Sequence, residues 1–175
     1  MANSTGASSG IGEASARQFA DEGSNLILTA RRLEKLQQLQ SELTKSHPNI
    51  HVHAVQLDVR DKKQIEKIVS KLPESVKNID ILLNNAGMVI GTDPLVEVEE
   101  DVIDQMLATN VKGLVFLTQA IVPDIKERSV GHVINIGSVV ASIVLQEDKT
   151  PIYIIILPNP SSKTNYSHQA KQLIF

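Results

Sequence analysis

The most constraining feature of the sequence is an alternation of short apolar runs with longer segments of helical spacing. Four runs predict buried strands, at residues 25–30, 51–57, 79–83 and 132–136. Between them, apolar side chains recur at helical spacing, as in the series Leu33, Leu36, Leu39 and Leu43. Strands that alternate with helices of this length form β-α-β units, so we expect an α/β fold with a doubly wound parallel sheet.

The two ends of the chain depart from this alternation. A glycine-rich segment begins at Thr5, and the residues ahead of it are too few and too polar to predict a strand. After Ser138 the alternation breaks down. We therefore expect the first, central strand and the C-terminal part of the fold to be missing. An alternative is that the apolar run 152–157 fills the vacant central position or adds an edge strand.

Composition argues against several classes of function. The formal net charge of −3 gives no reason to expect a nucleic acid or an acidic membrane surface as a partner. The chain has no cysteine and its histidines are scattered, so we expect neither disulfides nor a metal site. The start lacks the basic-then-apolar order of a signal peptide, and the longest strongly apolar run, residues 152–157, is far shorter than a membrane span. A soluble cytoplasmic protein is the expectation.

Residues 5–12, TGASSGIG, have the glycine spacing of a phosphate-binding loop that leads into a helix. Glycine at positions 6, 10 and 12 allows a tight turn and a close approach to a pyrophosphate, which helix N-terminal N–H groups would bind. Ser8 and Ser9 add hydroxyl donors. The alternative is a glycine-rich turn that caps a helix without binding a ligand. The helix, strand and charged residues that follow favour nucleotide binding.

The residues after the strand at 25–30 indicate which nucleotide is bound. An acidic side chain at this position usually binds a free ribose 2′-hydroxyl, but here Ala30 is followed by Arg31 and Arg32. Two arginines can hold a 2′-phosphate through charge-assisted hydrogen bonds, so the sequence predicts NADP rather than NAD. The alternative is that both are solvated charges at a helix start, where the helix dipole disfavours them.

Five motifs together resemble the short-chain dehydrogenases/reductases: TGASSGIG at 5–12, LDV at 57–59, NNAG at 84–87, TNVKG at 109–113 and NIGS at 135–138. The stretches LILTARRLEKL and HPNIHVHAVQLDV are most similar to fungal NADP-dependent 3-hydroxy acid dehydrogenases, which act on serine and allo-threonine. The resemblance implies a Rossmann sheet that is incomplete at both ends. It predicts an NADP-binding Rossmann domain at residues 1–140 and a divergent, poorly ordered tail at residues 141–175.

The resemblance also implies roles for individual residues. Asp58 and Val59 would flank the adenine, Ser138 would hydrogen-bond the substrate carbonyl, and Asn110 would hold a proton-relaying water. The rest of the implied cofactor-binding set is Gly6, Ser8, Ser9, Gly10, Ile11, Gly12, Arg31, Arg32, Asn85, Ala86 and Gly87. Plainer interpretations exist: Asn85 and Asn110 satisfy buried backbone groups, Asp58 is a turn acceptor, and Ser138 is an ordinary strand-end serine.

The family's catalytic tyrosine and its partner lysine are the part of the pattern that this chain lacks. Free tyrosine has a pKa of about 10, and in the family a lysine one helical turn later lowers it. Tyr153 is the candidate nearest the expected position, but its i+4 residue is Leu157. Lys163 has Asn159, not a tyrosine, at i−4. We therefore predict a catalytic set of Ser138, Asn110 and Tyr153 from which the Tyr–Lys pair has been lost.

The predicted function is an NADP(H)-dependent oxidoreductase with impaired catalysis, acting on a small alcohol, a 3-hydroxy acid or a carbonyl compound. The alternatives are a non-catalytic nucleotide-binding module and a truncated gene product, which without its central strand would not fold stably. A small-molecule substrate is the expected partner. Family members are homo-oligomers, and the oligomeric state of this chain is left open.

Overall fold

The computed structural model describes residues 1–73, 76–91, 95–137 and 173–174, which form a parallel sheet with helices on both faces. The strands are β1 Ala2–Thr5, β2 Leu26–Ala30, β3 Val52–Gln56, β4 Ile81–Asn84, β5 His132–Gly137 and β6 Leu173–Ile174. The helices are α1 Gly10–Asp21, α2 Leu33–Ser46, α3 Lys62–Ser70, α4 Glu100–Leu107 and α5 Leu114–Arg128, with a 3-10 turn at Leu95–Glu97 and a π-helical turn at Ala108–Gly113. The prediction of a doubly wound α/β fold is confirmed.

The sheet has the strand order β3-β2-β1-β4-β5-β6, and all neighbouring strands are parallel. The chain therefore starts in the centre, winds outward to β3 and returns to the other side of β1 to form β4. This reversal places a crevice at the carboxyl ends of β1 and β4, where ligands bind in sheets of this type.

The expectation that the first strand is missing is wrong. Ala2–Thr5 form β1 in the central position, paired with β2 on one side and β4 on the other, and all four residues are buried. Two polar side chains are tolerated there because hydrogen bonds satisfy them. Ser4 Oγ donates to the carbonyl of Gly12 (3.1 Å), and Thr5 Oγ1 donates to the carbonyl of Leu83 (3.0 Å). The alternative that residues 152–157 fill this position is wrong as well, because β1 occupies it.

Two apolar clusters attach the helices to the two faces of the sheet. On one face, α1 and α2 contribute Ala16, Ala20, Leu36, Leu39 and Leu43. On the other face, α3 and α5 contribute Ile65, Leu117, Ile121 and Ile125. The helix-spaced apolar residues predicted from the sequence therefore supply much of this core.

From the sequence, the apolar residues 111–122 predict a helix that ends at Pro123, but in the structure the helix continues past this proline. α4, the π-helical turn and α5 form one continuous helical stretch, Glu100–Arg128, and Pro123 lies inside α5. Proline removes one backbone N–H, but Ile121 and Ile125 are buried on either side of it and hold the helix on the sheet. By length and composition, with a mean hydropathy of 1.2, this stretch could also cross a membrane. One side of it packs in the apolar cluster on the sheet through Leu117, Ile121 and Ile125.

The predicted tail, residues 141–175, lies outside the described part of the chain apart from the backbone of Leu173–Ile174. This short strand, β6, pairs in parallel with Ile136 and Gly137 of β5. The prediction of a poorly ordered tail stays a prediction, as does an edge strand at residues 152–157.

Asn3 of β1 provides a test of the packing around the central strand. It is 4% exposed, and its Oδ1 accepts no hydrogen bond from any described residue. It is aligned with Ile27 and Leu82, which belong to the apolar cluster that includes α5. An unpaired buried carbonyl costs about 1–3 kcal/mol. We therefore expect Asn3→Val to raise the free energy of unfolding by about 1–2 kcal/mol, measured by urea denaturation.

Ser4→Val is the matched control in the adjacent residue of the same strand. It removes the buried hydrogen bond to Gly12 and places a larger side chain against α1. It should lower the free energy of unfolding by about 1 kcal/mol or more. Destabilisation of similar size by both substitutions would contradict the apolar environment assigned to Asn3.

Candidate functional site

A cavity of about 560 Å³ lies at the carboxyl edge of the sheet. Its walls come from the glycine loop after β1, the end of β2, the residues after β3 and the loop after β4. The lining residues are Gly6, Ser8, Ser9, Ile11, Thr29, Ala30, Arg31, Arg32, Leu57, Asp58, Val59, Asn85, Ala86, Gly87 and Thr109. The predicted cofactor-binding residues are therefore brought together here. Gly10 and Gly12 do not line the cavity but shape the loop that does.

The glycine loop excludes a side chain at Gly6 for conformational reasons and at Gly12 for lack of space. Gly6 has a φ of +66°, in the left-handed region that side-chain-bearing residues rarely adopt. At Gly12, a Cβ would lie 2.5 Å from both the carbonyl oxygen of Gly6 and Nδ2 of Asn85. Ser9 is the N-cap residue of α1, but its side chain does not cap the helix. No side chain of the N-cap therefore competes with an anion for the first N–H groups of α1.

Thr5 joins the glycine loop to the loop after β4. Its hydroxyl donates to the carbonyl of Leu83 and accepts from the backbone N–H groups of Asn85 (2.9 Å) and Ala86 (3.0 Å). In return, Nδ2 of Asn85 donates to the carbonyl oxygen of Thr5 (2.9 Å). The side chain of Asn85 thus satisfies a backbone carbonyl, which is the plainer interpretation given for this residue. Sequence analysis did not assign Thr5 a role, although it directly precedes Gly6.

The two arginines after β2 differ in their contacts. Arg32 reaches back to the glycine loop, where its Nη2 lies 2.8 Å from Oγ of Ser8 and 2.8 Å from Oγ of Ser9. Its Nε lies 3.2 Å from Oγ of Ser8. Arg31 lines the cavity, and its guanidinium makes no hydrogen bond to any described residue. Because the partners of Arg32 are neutral groups of Ser8 and Ser9, its charge is not compensated there.

Asp58 follows β3 and lines the cavity beside Leu57 and Val59. Its Oδ1 accepts from the backbone N–H of Arg60 (3.0 Å), and its Oδ2 accepts from Nη2 of Arg60 (2.6 Å). The hydrogen bond from the Arg60 side chain lowers the pKa of Asp58, although partial burial opposes this. Asp58 is therefore both the turn acceptor of the plainer interpretation and an ionised acceptor at the cavity wall.

Asn110 lies in the π-helical turn between α4 and α5. Its Oδ1 accepts from the backbone N–H of Met88 (2.9 Å), and its Nδ2 donates to the carbonyl of Met88 (2.8 Å). Both ends of the amide thus fix the loop that carries Ala86 and Gly87. π-helical turns of this kind occur frequently at functional sites.

Ser138 and Tyr153, the other predicted catalytic residues, lie outside the described part of the chain, as does Lys163. β5, which leads toward Ser138, ends at Gly137. Sequence analysis assigned no role to three cavity residues, Thr29, Leu57 and Thr109. For Leu57 and Thr109, the signal in the sequence that could have indicated a place in the site was their position in the LDV and TNVKG motifs.

Comparison with known proteins agrees with this architecture. The family model for short chain dehydrogenase matches residues 1–150. The NADP-dependent 3-hydroxy acid dehydrogenase YdfG of Escherichia coli strain K12 is 43% identical over 138 residues, which cover 79% of this chain and 54% of that protein. The NADP-dependent 3-hydroxy acid dehydrogenase of Schizosaccharomyces pombe is 37% identical over 136 residues, covering 77% of this chain and 52% of that protein.

A solved structure gives the same result. The closed form of serine dehydrogenase complexed with NADP+ matches with a TM-score of 0.76 and 42% identity, covering 81% of this chain and 55% of that one. The chain spans about half the length of the curated relatives it matches. With most of its residues matched by the family model, the chain belongs to the short-chain dehydrogenase family.

Proposed function

We propose that the chain is an NADP(H)-dependent oxidoreductase that acts on a small alcohol, a 3-hydroxy acid or the corresponding carbonyl compound. The observation that carries the proposal is the position of Arg32, which binds Ser8 and Ser9 where an acid would hold a free ribose 2′-hydroxyl. Relatives named as NADP-dependent 3-hydroxy acid dehydrogenases support the same cofactor and substrate class.

The residues of the cavity fit a dinucleotide phosphate. The volume of about 560 Å³ is in the range of small-molecule sites, and a Cβ at Gly6 or Gly12 would clash with Nδ2 of Asn85, so the loop that forms the cavity wall requires glycine at both positions. The glycine loop and the start of α1 would hold the pyrophosphate. Arg31 and Arg32 would hold the 2′-phosphate, Asp58 and Val59 would flank the adenine, and Asn85, Ala86 and Gly87 would line the cofactor ribose. The bound nicotinamide would supply or accept a hydride.

The proposed substrate chemistry rests on Ser138, Asn110 and Tyr153. The hydroxyl of Ser138 would hydrogen-bond the substrate oxygen, and the phenol of Tyr153 would give or take its proton. The sequence supplies no lysine at i+4 from Tyr153. We therefore propose that turnover is slower, by about 10²–10⁴, than with an intact Tyr–Lys pair.

The cofactor proposal predicts selective stabilisation by NADP. At about 100 times its dissociation constant, NADP should stabilise the fold by about 2.7 kcal/mol, which corresponds to a rise in Tm of about 5–10 °C. Arg32→Ala should weaken NADP binding by about tenfold to a hundredfold because charge-assisted hydrogen bonds are lost. Its affinity for NAD should change by less than about twofold, since NAD carries no 2′-phosphate. Calorimetric titration with both nucleotides measures the difference.

Arg31→Ala is the comparison variant for this test. Arg31 has no hydrogen bond holding its guanidinium among the described residues, so its loss should weaken NADP binding less than the loss of Arg32. Equal weakening of NAD and NADP binding by Arg32→Ala would contradict a contact with the 2′-phosphate.

The catalytic proposal predicts slow consumption of NADPH in the presence of a small 3-oxo acid or aldehyde. Tyr153→Phe should abolish this turnover while leaving NADP binding unchanged, because only the proton-transferring hydroxyl is removed. Absorbance of the reduced nicotinamide and chromatography of the product measure both. Turnover that survives in Tyr153→Phe would contradict the role of Tyr153. NADP binding without any turnover in the wild type would identify the alternative, a non-catalytic nucleotide-binding module.

A further inference from the structure

Arg60, outside the cavity lining, binds the carboxylate of Asp58, which is part of that lining. Its Nε lies 2.9 Å from Oδ1 and 3.1 Å from Oδ2, and its Nη2 lies 2.6 Å from Oδ2. Its backbone N–H also donates to Oδ1 (3.0 Å). Two side-chain nitrogens and one backbone nitrogen of a single residue therefore hold both carboxylate oxygens from outside the cavity.

These contacts limit what the carboxylate can still accept. An ionised carboxylate offers about four lone-pair directions. The three donors of Arg60 occupy about three of them, which leaves about one for a further donor. Asp58 is 29% exposed and lines the cavity, so the remaining direction is accessible to a ligand there.

The loop that carries both residues is fixed by further hydrogen bonds. The backbone N–H of Asp58 donates to Oε1 of Gln64 (2.7 Å), and the carbonyl of Asp58 accepts from the backbone N–H of Asp61 (3.0 Å). Oδ1 of Asp61 in turn accepts from the backbone N–H of Gln64 at the start of α3 (3.0 Å). The orientation of the Asp58–Arg60 pair is therefore set before any ligand arrives.

We propose that Arg60 is a positioning residue for base recognition, which holds Asp58 so that it presents a single ionised acceptor to the exocyclic 6-amino group of a purine. This inference rests on the proposed function, because it concerns the base of the nucleotide in the same cavity. It goes further in assigning the discrimination between 6-amino and 6-oxo purines to a residue outside the cavity.

The chemistry of the two bases explains why one acceptor discriminates between them. The 6-amino group of adenine donates a hydrogen bond to a carboxylate oxygen, and the bond is strengthened by the charge. Hypoxanthine has a carbonyl oxygen in the same place, which would face the carboxylate as a second acceptor. A carboxylate free to rotate or to become protonated could adapt to either base. The fork of Arg60 prevents both changes.

Calorimetric titration of the full chain with NADP and with nicotinamide hypoxanthine dinucleotide phosphate tests the proposal. The wild type should bind NADP about tenfold more tightly than the hypoxanthine analogue. In Arg60→Gln this preference should fall to about twofold, mainly through weaker binding of NADP. Arg60→Lys keeps the charge but not the fork, so its preference should lie between the two.

Arg17→Gln is the matched control. Arg17 also binds two carboxylate oxygens, those of Glu13 and Glu42, but it lies on α1 outside the cavity lining. Its substitution should leave both dissociation constants unchanged. Because each preference is a ratio of two affinities of the same variant, a general loss of stability does not imitate the expected result.

The pH profile of the preference separates positioning from a merely structural role. In the wild type the Arg60 side chain keeps the pKa of Asp58 below its usual value, so the preference should be constant from about pH 8 to about pH 5. Arg60→Gln removes the largest cause that lowers the pKa of Asp58, while burial still raises this pKa and Arg31 and the backbone N–H of residue 60 still lower it, so the preference should begin to decline at a higher pH than in the wild type.

The outcomes distinguish this inference from the proposed function. If Arg60→Gln weakens both nucleotides equally, or changes neither, Arg60 does not position Asp58 for the base, and NADP binding by the wild type still stands. If the wild type binds neither nucleotide, both the proposed function and the inference are overturned.

Discussion

The hydrogen bonds of Thr5 hold together the crevice on which the proposed nucleotide site depends. Its hydroxyl connects β1 to the loop after β4, because it donates to Leu83 and accepts from Asn85 and Ala86. The chain reverses its direction of winding between these two strands, so no short connection fixes their carboxyl ends relative to each other. The side chain of Thr5 is short enough to lie within the sheet, and its hydroxyl fixes the two strand ends instead. The glycine loop and the loop after β4 are therefore held next to each other without a ligand.

The same hydrogen bonds explain why sequence analysis predicted β2, β3, β4 and β5 but not β1. Apolar side chains mark a buried strand within its own sequence, and the four predicted strands differ from the observed ones by no more than two residues at either end. In β1, burial of Ser4 and Thr5 depends on carbonyls of Gly12 and Leu83. Thr5 and Leu83 are 78 positions apart, so no local window contains both. Oδ1 of Asn3 has no hydrogen-bond partner among the described residues. Asn3 is therefore the one residue of β1 that agrees with the expectation of a segment too polar for a strand.

The candidate site was predictable where its chemistry is local. The glycine spacing and the arginine pair could be identified because each motif lies within a few consecutive residues. Arg31 and Arg32 could not be distinguished from the sequence, since they are adjacent and identical in chemistry. Only the structure shows that Arg32, at the start of α2, contacts Ser8. The dual role of Asp58 was likewise hidden, because Arg60 binds it through side-chain geometry that spacing does not specify. The helix end predicted at Pro123 was wrong because burial of the helix on the sheet outweighs the loss of one backbone N–H.

The distribution of charge in the cavity follows from which arginines have acidic partners. Arg60 is compensated by Asp58, whereas Arg32 binds only neutral groups of Ser8 and Ser9, and the guanidinium of Arg31 makes no hydrogen bond to the described residues. An anion that reaches Arg32 gains Coulomb energy without displacing a carboxylate, while Asp58 repels an anion and favours a donor. The charges of the cavity thus favour a ligand that carries both a phosphate and an amino group. An adenosine 2′-phosphate carries both on a single nucleoside, so this half of the proposed cofactor, rather than the nicotinamide half, is expected to supply most of the binding energy.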